Sequence, residues 1–148
     1  MEETFETVDL NGEFRFKADA KGRVSLPAKF RKVLPSELVV TPDPDGNYLM
    51  VFANPDFNDW VRSLIEDAFG EFKSTDRKQL GLRRQLKARA DDVLIDSAGR
   101  IMIPSDQREM VGIDKDVVII GNTGYFEMWD AKRYEEDSEK YDLSSLLG

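Results

Sequence analysis

Phe16-Lys17-Ala18-Asp19-Ala20-Lys21-Gly22-Arg23-Val24-Ser25-Leu26-Pro27-Ala28-Lys29-Phe30-Arg31 occurs twice in this chain. The second copy reads Val93-Leu94-Ile95-Asp96-Ser97-Ala98-Gly99-Arg100-Ile101-Met102-Ile103-Pro104-Ser105-Asp106-Gln107-Arg108. At an offset of 77 residues Asp, Gly, Arg, Pro and the final Arg coincide, and the same offset maps Tyr48 to Tyr125 and Phe52 to Trp129. The duplication therefore covers a whole unit. Two copies are too few for a solenoid, which needs several stacked repeats to bury a continuous core. One domain made of two similar halves is the better expectation.

Working outward, Phe14, Phe16 and Ala18 alternate with Glu13, Arg15 and Lys17, which predicts a half-buried strand. Val24-Ser25-Leu26 predicts a second. Between Asp19 and Arg23 lie three residues with Gly22 last, the pattern of a tight hairpin whose glycine takes the left-handed conformation. Pro27 opens a short helix, where its missing N–H is harmless, with Phe30, Val33 and Leu34 on its apolar side. The matching helix runs from Pro104 to about Val111 and stops at Gly112, followed by the apolar Ile113, as a left-handed terminator requires.

Each half continues with two strands and a helix. Leu38–Thr41 and Tyr48–Phe52 are followed by a helix with Asn54 as cap and Phe57, Trp60, Val61, Leu64, Ile65 and Ala68 in one stripe. Val117–Ile120 and Tyr125–Trp129 are followed by a helix capped by Asp130. Between the halves, Ser74–Ala90 is a basic segment expected to be helical, interrupted by Gly81. The organisation is then a first half over residues 12–69, a linking helix over 70–90 and a second half over 91–141. Residues 1–11 and 142–148 are expected to be loose termini.

Composition narrows the chemistry. At 148 residues the chain can bury roughly 70% of its unfolded surface in one core. It has neither cysteine nor histidine, which excludes disulfides, thiolate metal sites, zinc sites of the usual kind and Ser-His-Asp triads. No apolar run approaches a membrane span or a signal segment, so a cytoplasmic protein is expected.

The net charge of −8 is unevenly spread. Residues 17–32 carry six cations against Asp19, a net of +5, and residues 73–89 carry seven against Asp76, a net of +6. A basic face on an acidic protein is therefore available, and the local face governs contact with phosphates. The basic 73–89 segment has two readings, a second phosphate-binding surface and, the preferred one, a solvated helix linking the halves.

Other constellations carry less. Asp43-Pro44-Asp45-Gly46-Asn47 has its glycine in the wrong place for a calcium loop and reads as a turn. Asp91-Asp92 and Glu135-Glu136-Asp137 are charge runs of the solvated kind. Neither a metal site nor a cofactor nor a small-molecule substrate is expected, and no enzymatic activity.

The Asp-x-x-Gly-Arg turns have two readings. Asp19 and Arg23 can form a simple cross-strand ion pair, worth little when exposed. The same pair can hold an outward guanidinium in one orientation for guanine O6 and N7, in a major groove wide enough for a β-ribbon. Lys21 beside it would add phosphate attraction.

Gly22-Arg23-Val24-Ser25-Leu26-Pro27-Ala28-Lys29-Phe30-Arg31 after Asp19, with its echo Asp96-Ser97-Ala98-Gly99-Arg100-Ile101-Met102-Ile103-Pro104, resembles the signature of the MraZ proteins. The likeness extends from about Leu10 to the Phe-Glu-Met-Trp-Asp of Phe126–Asp130. It implies an α+β, β-rich fold of tandem AbrB-like swapped-hairpin units, two pseudo-symmetric ββαββα halves interleaved within one chain. It further implies a bacterial transcriptional regulator, a repressor by expectation, of the division and cell-wall gene cluster. Such a regulator would bind short direct repeats in double-stranded DNA upstream of its own gene, assemble into a closed homo-oligomeric ring, and sit with the nucleoid.

The DNA-contacting motif carries over to Asp19, Gly22 and Arg23 with Lys21, and to Asp96, Gly99 and Arg100. Lys29, Arg31 and Arg108 are the expected secondary phosphate contacts. Asp106 stands where the first half has Lys29, so the second turn is expected to be the weaker contact. The alternative reading is an AbrB-like antitoxin or protein-assembly module whose main ligand is a protein.

Overall fold

The computed structural model describes residues 6–148. The first half runs β1 (Glu13–Lys17), β2 (Arg23–Ser25), α1 (Ala28–Arg31), β3 (Glu37–Pro42), β4 (Leu49–Phe52), α2 (Asn54–Phe69). A linking helix, α3 (Arg77–Ala88), follows. The second half repeats the pattern as β5 (Asp91–Leu94), β6 (Arg100–Met102), α4 (Ser105–Val111), β7 (Asp116–Gly121), β8 (Tyr125–Asp130) and α5 (Ala131–Ser138). The fold is α+β, with two ββαββα halves.

The halves are interleaved. A six-stranded antiparallel sheet has the order β1-β7-β8-β4-β3-β5, and β2 pairs with β6 in a separate two-stranded ribbon. Strand β1 thus pairs with the second half (Phe14↔Ile119, Phe16↔Val117) and β5 with the first (Leu38↔Val93). Since β1 and β5 are the two outer strands, and each leads by a tight turn into the ribbon, the ribbon closes the sheet over its own inner face. Strand exchange of this kind leaves neither half with a complete sheet of its own.

Alternation along the strands fills both faces. Leu38, Val40, Leu49, Val51, Val117, Ile119, Phe126 and Met128 point into the closed interior with Val24, Leu26, Phe30, Ile101 and Ile103. Val39, Met50 and Phe52 point the other way, onto Phe57, Val61 and Ile65 of α2. Burying each such side chain contributes roughly 1.5–3 kcal/mol. The duplicated aromatics meet crosswise at the centre, where Tyr48 stacks on Trp129 at 4.6 Å and Phe52 meets Tyr125 at 5.3 Å.

Several expectations need correction. The arm before residue 12 is tied down where it is described: Leu10 N–H donates to Asn122 O at 3.1 Å, Gly124 N–H to Val8 O at 2.6 Å, and Leu10 is buried. Residues 1–5 lie outside the described part. Asn54 does not cap α2; it is the first helical residue, Ala53 holds the cap position, and no side chain bonds there. Val33 lies beyond the end of α1, which is only one turn long, and is exposed. Gly81 does not interrupt α3, which runs through it from a cap at Asp76. Asp130 does cap α5, accepting from Arg133 N–H at 3.1 Å. The tail forms a short 3-10 helix, Leu143–Leu147, with no buried residue.

One buried polar side chain binds the two halves and the linker. Gln107 of α4, matching Phe30 in the repeat, donates from Nε2 toward Val40 O at 3.3 Å, Arg89 O at 3.1 Å and the Asp91 carboxylate at 2.7 Å.

Candidate nucleic-acid interface

The two turns are built alike. In the first, Asp19 N–H donates to Arg23 O at 3.0 Å and Gly22 N–H to Asp19 O at 2.9 Å. In the second, Asp96 N–H donates to Arg100 O at 2.8 Å and Gly99 N–H to Asp96 O at 2.9 Å. Gly22 and Gly99 take φ of +83° and +78°, a region costly for any residue with a Cβ.

Each Asp then organises its own turn. Asp19 Oδ1 accepts from Lys21 N–H at 3.0 Å and Arg23 N–H at 2.8 Å, and its Oδ2 accepts from Arg23 Nε at 2.6 Å. Asp96 repeats this with Ala98 N–H at 2.9 Å, Arg100 N–H at 2.9 Å and Arg100 Nε at 3.1 Å. The backbone N–H of the arginine, more than its charge, holds each carboxyl below the ordinary aspartate range.

The bond to Nε decides what each arginine can do. It fixes the guanidinium plane and leaves both terminal nitrogens undonated among the described residues. Those are the two donors a bidentate contact needs. The side chains of Arg23 and Arg100 are 33% and 34% exposed, so each is partly buried and braced along its turn.

Pairing of β2 with β6 brings the two arginines together. The register sets Arg23 opposite Met102, Val24 opposite Ile101 and Ser25 opposite Arg100. Val24 and Ile101 are fully buried. Alternation therefore turns Arg23, Ser25, Arg100 and Met102 to the outer face. The two arginines are diagonal neighbours, about 7–8 Å apart at their backbones, or about two base steps along a strand.

The ribbon is buttressed from behind, and crosswise. Ile103 N–H donates to Gly22 O at 2.9 Å and Leu26 N–H to Gly99 O at 3.0 Å. The Arg108 guanidinium lies over Gly22, where an added Cβ would come within 2.6 Å of its Cζ, and Arg31 lies over Gly99 in the same way. The Nε of Arg108 is buried there with no partner among the described residues. Arg31 and Arg108, singled out in the sequence for phosphates, are thus brought to the turns, each to the turn of the other half. Lys29 is not: its ammonium donates to Asn11 O at 3.1 Å, just before β1.

The basic linking helix is largely occupied. Lys78, Arg83 and Lys87 lie over the rings of Phe69, Phe72 and Phe57 at 5.7, 5.2 and 5.0 Å, and Arg89 donates to Asp43 O at 3.2 Å. These cations cover apolar surface with their stems, which gives α3 a packing role. Among the described residues there is no cluster of side chains able to hold a metal ion, and no helix long and apolar enough to cross a membrane.

A family model described as "MraZ protein, putative antitoxin-like" matches residues 10–80 and again 86–146. Curated relatives carry the name Transcriptional regulator MraZ, a regulator and not an enzyme. The protein of Treponema denticola is 35% identical over 86% of this chain and 85% of its own length. That of Acetivibrio thermocellus is 35% identical over 90% of each chain. That of Caldanaerobacter subterraneus is 36% identical over 91% of this chain and 90% of its own. With both halves matched by one model and relatives of this identity covering nearly the whole length, the chain belongs to the MraZ family.

Proposed function

We propose that this chain is a DNA-binding transcriptional regulator that reads duplex DNA with the outer face of the β2–β6 ribbon. The observation that carries this is the pair of arginines, one from each half, held on a single outer face by Asp19 and Asp96 with no partner on their terminal nitrogens among the described residues. A two-stranded ribbon fits the major groove, where Arg can bond guanine O6 and N7 together. Lys21 on the adjoining turn is exposed and supplies phosphate attraction. The names of the relatives support a regulator.

The finer reading follows the family. Target sites are short direct repeats upstream of its own gene in the division and cell-wall cluster, and the outcome is repression. One ribbon makes few base contacts, so a closed ring of copies would gain affinity by multivalency where repeat spacing matches copy spacing. Such a protein works in the cytoplasm, on the nucleoid.

Fluorescence anisotropy with the upstream duplex, run over a salt series, tests the assignment. Arg23→Ala is expected to cost about 1–3 kcal/mol per lost base contact and to flatten preference between repeat and scrambled sequence. Lys21→Ala should weaken both sequences alike and reduce the salt slope by roughly one. Wild-type affinity and preference in Arg23→Ala would remove the ribbon from the interface.

A second reading, that the principal ligand is a protein, has one observation in its favour. Leu143, Leu146 and Leu147 are 82%, 80% and 88% exposed, an unusual surface for leucines. Deleting residues 142–148 separates the two: a change in assembly size with DNA preference intact gives the tail an assembly role, whereas retained assembly and DNA binding dismisses it.

A further inference from the structure

We propose that Met102 is a specificity residue, reading the C5-methyl of a thymine beside the guanine taken by Arg23; this rests on the ribbon reading above. The ribbon has a pseudo-twofold through the Val24–Ile101 pair. Most of its outer face obeys that symmetry: Arg23 answers Arg100 and Asp19 answers Asp96. Three positions break it: one is Ala20 against Ser97 on the turns, and the other two place their longer side chains at the same end. Met102 answers Ser25, and Lys21 answers Ala98.

Met102 is 56% exposed, between Ile101 and Ile103, which are 0% and 1% exposed. On an alternating strand the outward position is ordinarily polar, as Ser25 is on the partner strand. Here a long thioether stands in water directly opposite Arg23. It lines a groove of about 570 Å³ together with Lys21, Arg108 and Asp92. An apolar tip with two cationic residues, Lys21 and Arg108, against one carboxylate, Asp92, in the same groove suits a base edge that lies between phosphates.

The chemistry then names the base. Of the groups displayed in the major groove, only the thymine C5-methyl is apolar. A flexible, polarisable Met side chain adapts to it without demanding a hydrogen bond. With Arg23, Met102 and Lys21 at one end, and Arg100, Ser25 and Ala98 at the other, the ribbon is polar along its length. It should read a directional site, with the stricter preference at the Arg23 end.

The test uses a duplex selected from a random pool by the full-length protein. Each thymine in it is replaced in turn by deoxyuridine, which removes only the methyl. Wild type is expected to lose about fourfold in affinity at one thymine next to a guanine, what one buried methyl group is worth. Met102→Ala should bind the thymine and uracil duplexes equally, and Met102→Leu should restore the difference. Insensitivity of the wild type at every thymine would overturn the proposal. So would an undiminished thymine preference in Met102→Ala. A changed sedimentation coefficient in that variant with DNA discrimination intact would assign Met102, with the exposed Leu94 nearby, to a protein contact instead. Arg23→Ala runs in parallel: if it loses discrimination while Met102→Ala does not, only the methionine assignment falls. If Arg23→Ala discriminates as wild type does, the ribbon reading falls first.

Discussion

Asp19 and Asp96 are the residues on which the site's precision depends. Each spends one oxygen on two backbone N–H groups and the other on an arginine Nε. Those bonds favour the ionised carboxylate, so each folded-state pKa lies below the ordinary 3.8. The sign follows by linkage. A carboxyl depressed on folding lends its stabilisation above its unfolded pKa and loses it as pH falls through the lower, folded value. The turns should therefore stay ordered at pH 5 and open only in stronger acid. Carboxyl-carbon NMR titration is expected to place both midpoints below 3.8; a midpoint at or above it would show that the turn bonds do not persist in solution. Asp19→Asn puts an amide against Nε and should blunt sequence discrimination, with a lowered melting temperature at neutral pH as the carboxylate's stabilisation is lost.

At the scale of elements, the turns and the linking helix put glycine to opposite uses. Gly22→Ala and Gly99→Ala place a Cβ at positive φ and against a crossing arginine. Each is expected to cost about 1–2 kcal/mol in denaturant unfolding. Gly81 sits in mid-helix with nothing within 4 Å of an added Cβ, so Gly81→Ala should stabilise by about 0.5–1 kcal/mol. Equal effects from all three would contradict the turn geometry. The turns were legible in the sequence because the bond pattern of Asp-x-x-Gly-Arg is local, and the α4 stop at Gly112 was legible for the same reason. What lay across the turns was not. That Arg108 covers Gly22, or that Gln107 reaches three acceptors on three segments, depends on contacts between residues far apart in the chain. Asn54 misled because Pro55 at the second helical position fits a start at Asn54 as readily as a cap there. Met102 has no signature in the sequence, since one methionine stands out only where the strand register shows that it faces Arg23.

For the whole molecule, strand exchange makes the halves interdependent. Within the first half alone, only β3 and β4 keep a strand partner; β1 and β2 pair solely with the second. Residues 1–88 expressed alone should therefore give no folded monomer, only an unfolded chain or a dimer supplying the missing strands to itself. Circular dichroism with analytical ultracentrifugation decides it, and a folded monomeric half would refute the interleaving. The 77-residue offset was plain in the sequence, and it established two like halves. Their interleaving came from the family likeness, since periodicity cannot say which strand pairs with which. The docking of Val8–Leu10 onto the Asn122–Gly124 turn was hidden by the acidic, aperiodic look of the arm.

The ribbon's two strands are encoded at separate places in one gene. A homodimer that mutated its residue 25 would mutate both strands at once and could only ever present a palindrome. Fusion lifts that constraint: codon 102 can drift while codon 25 stands still, so a symmetric scaffold can acquire a left and a right.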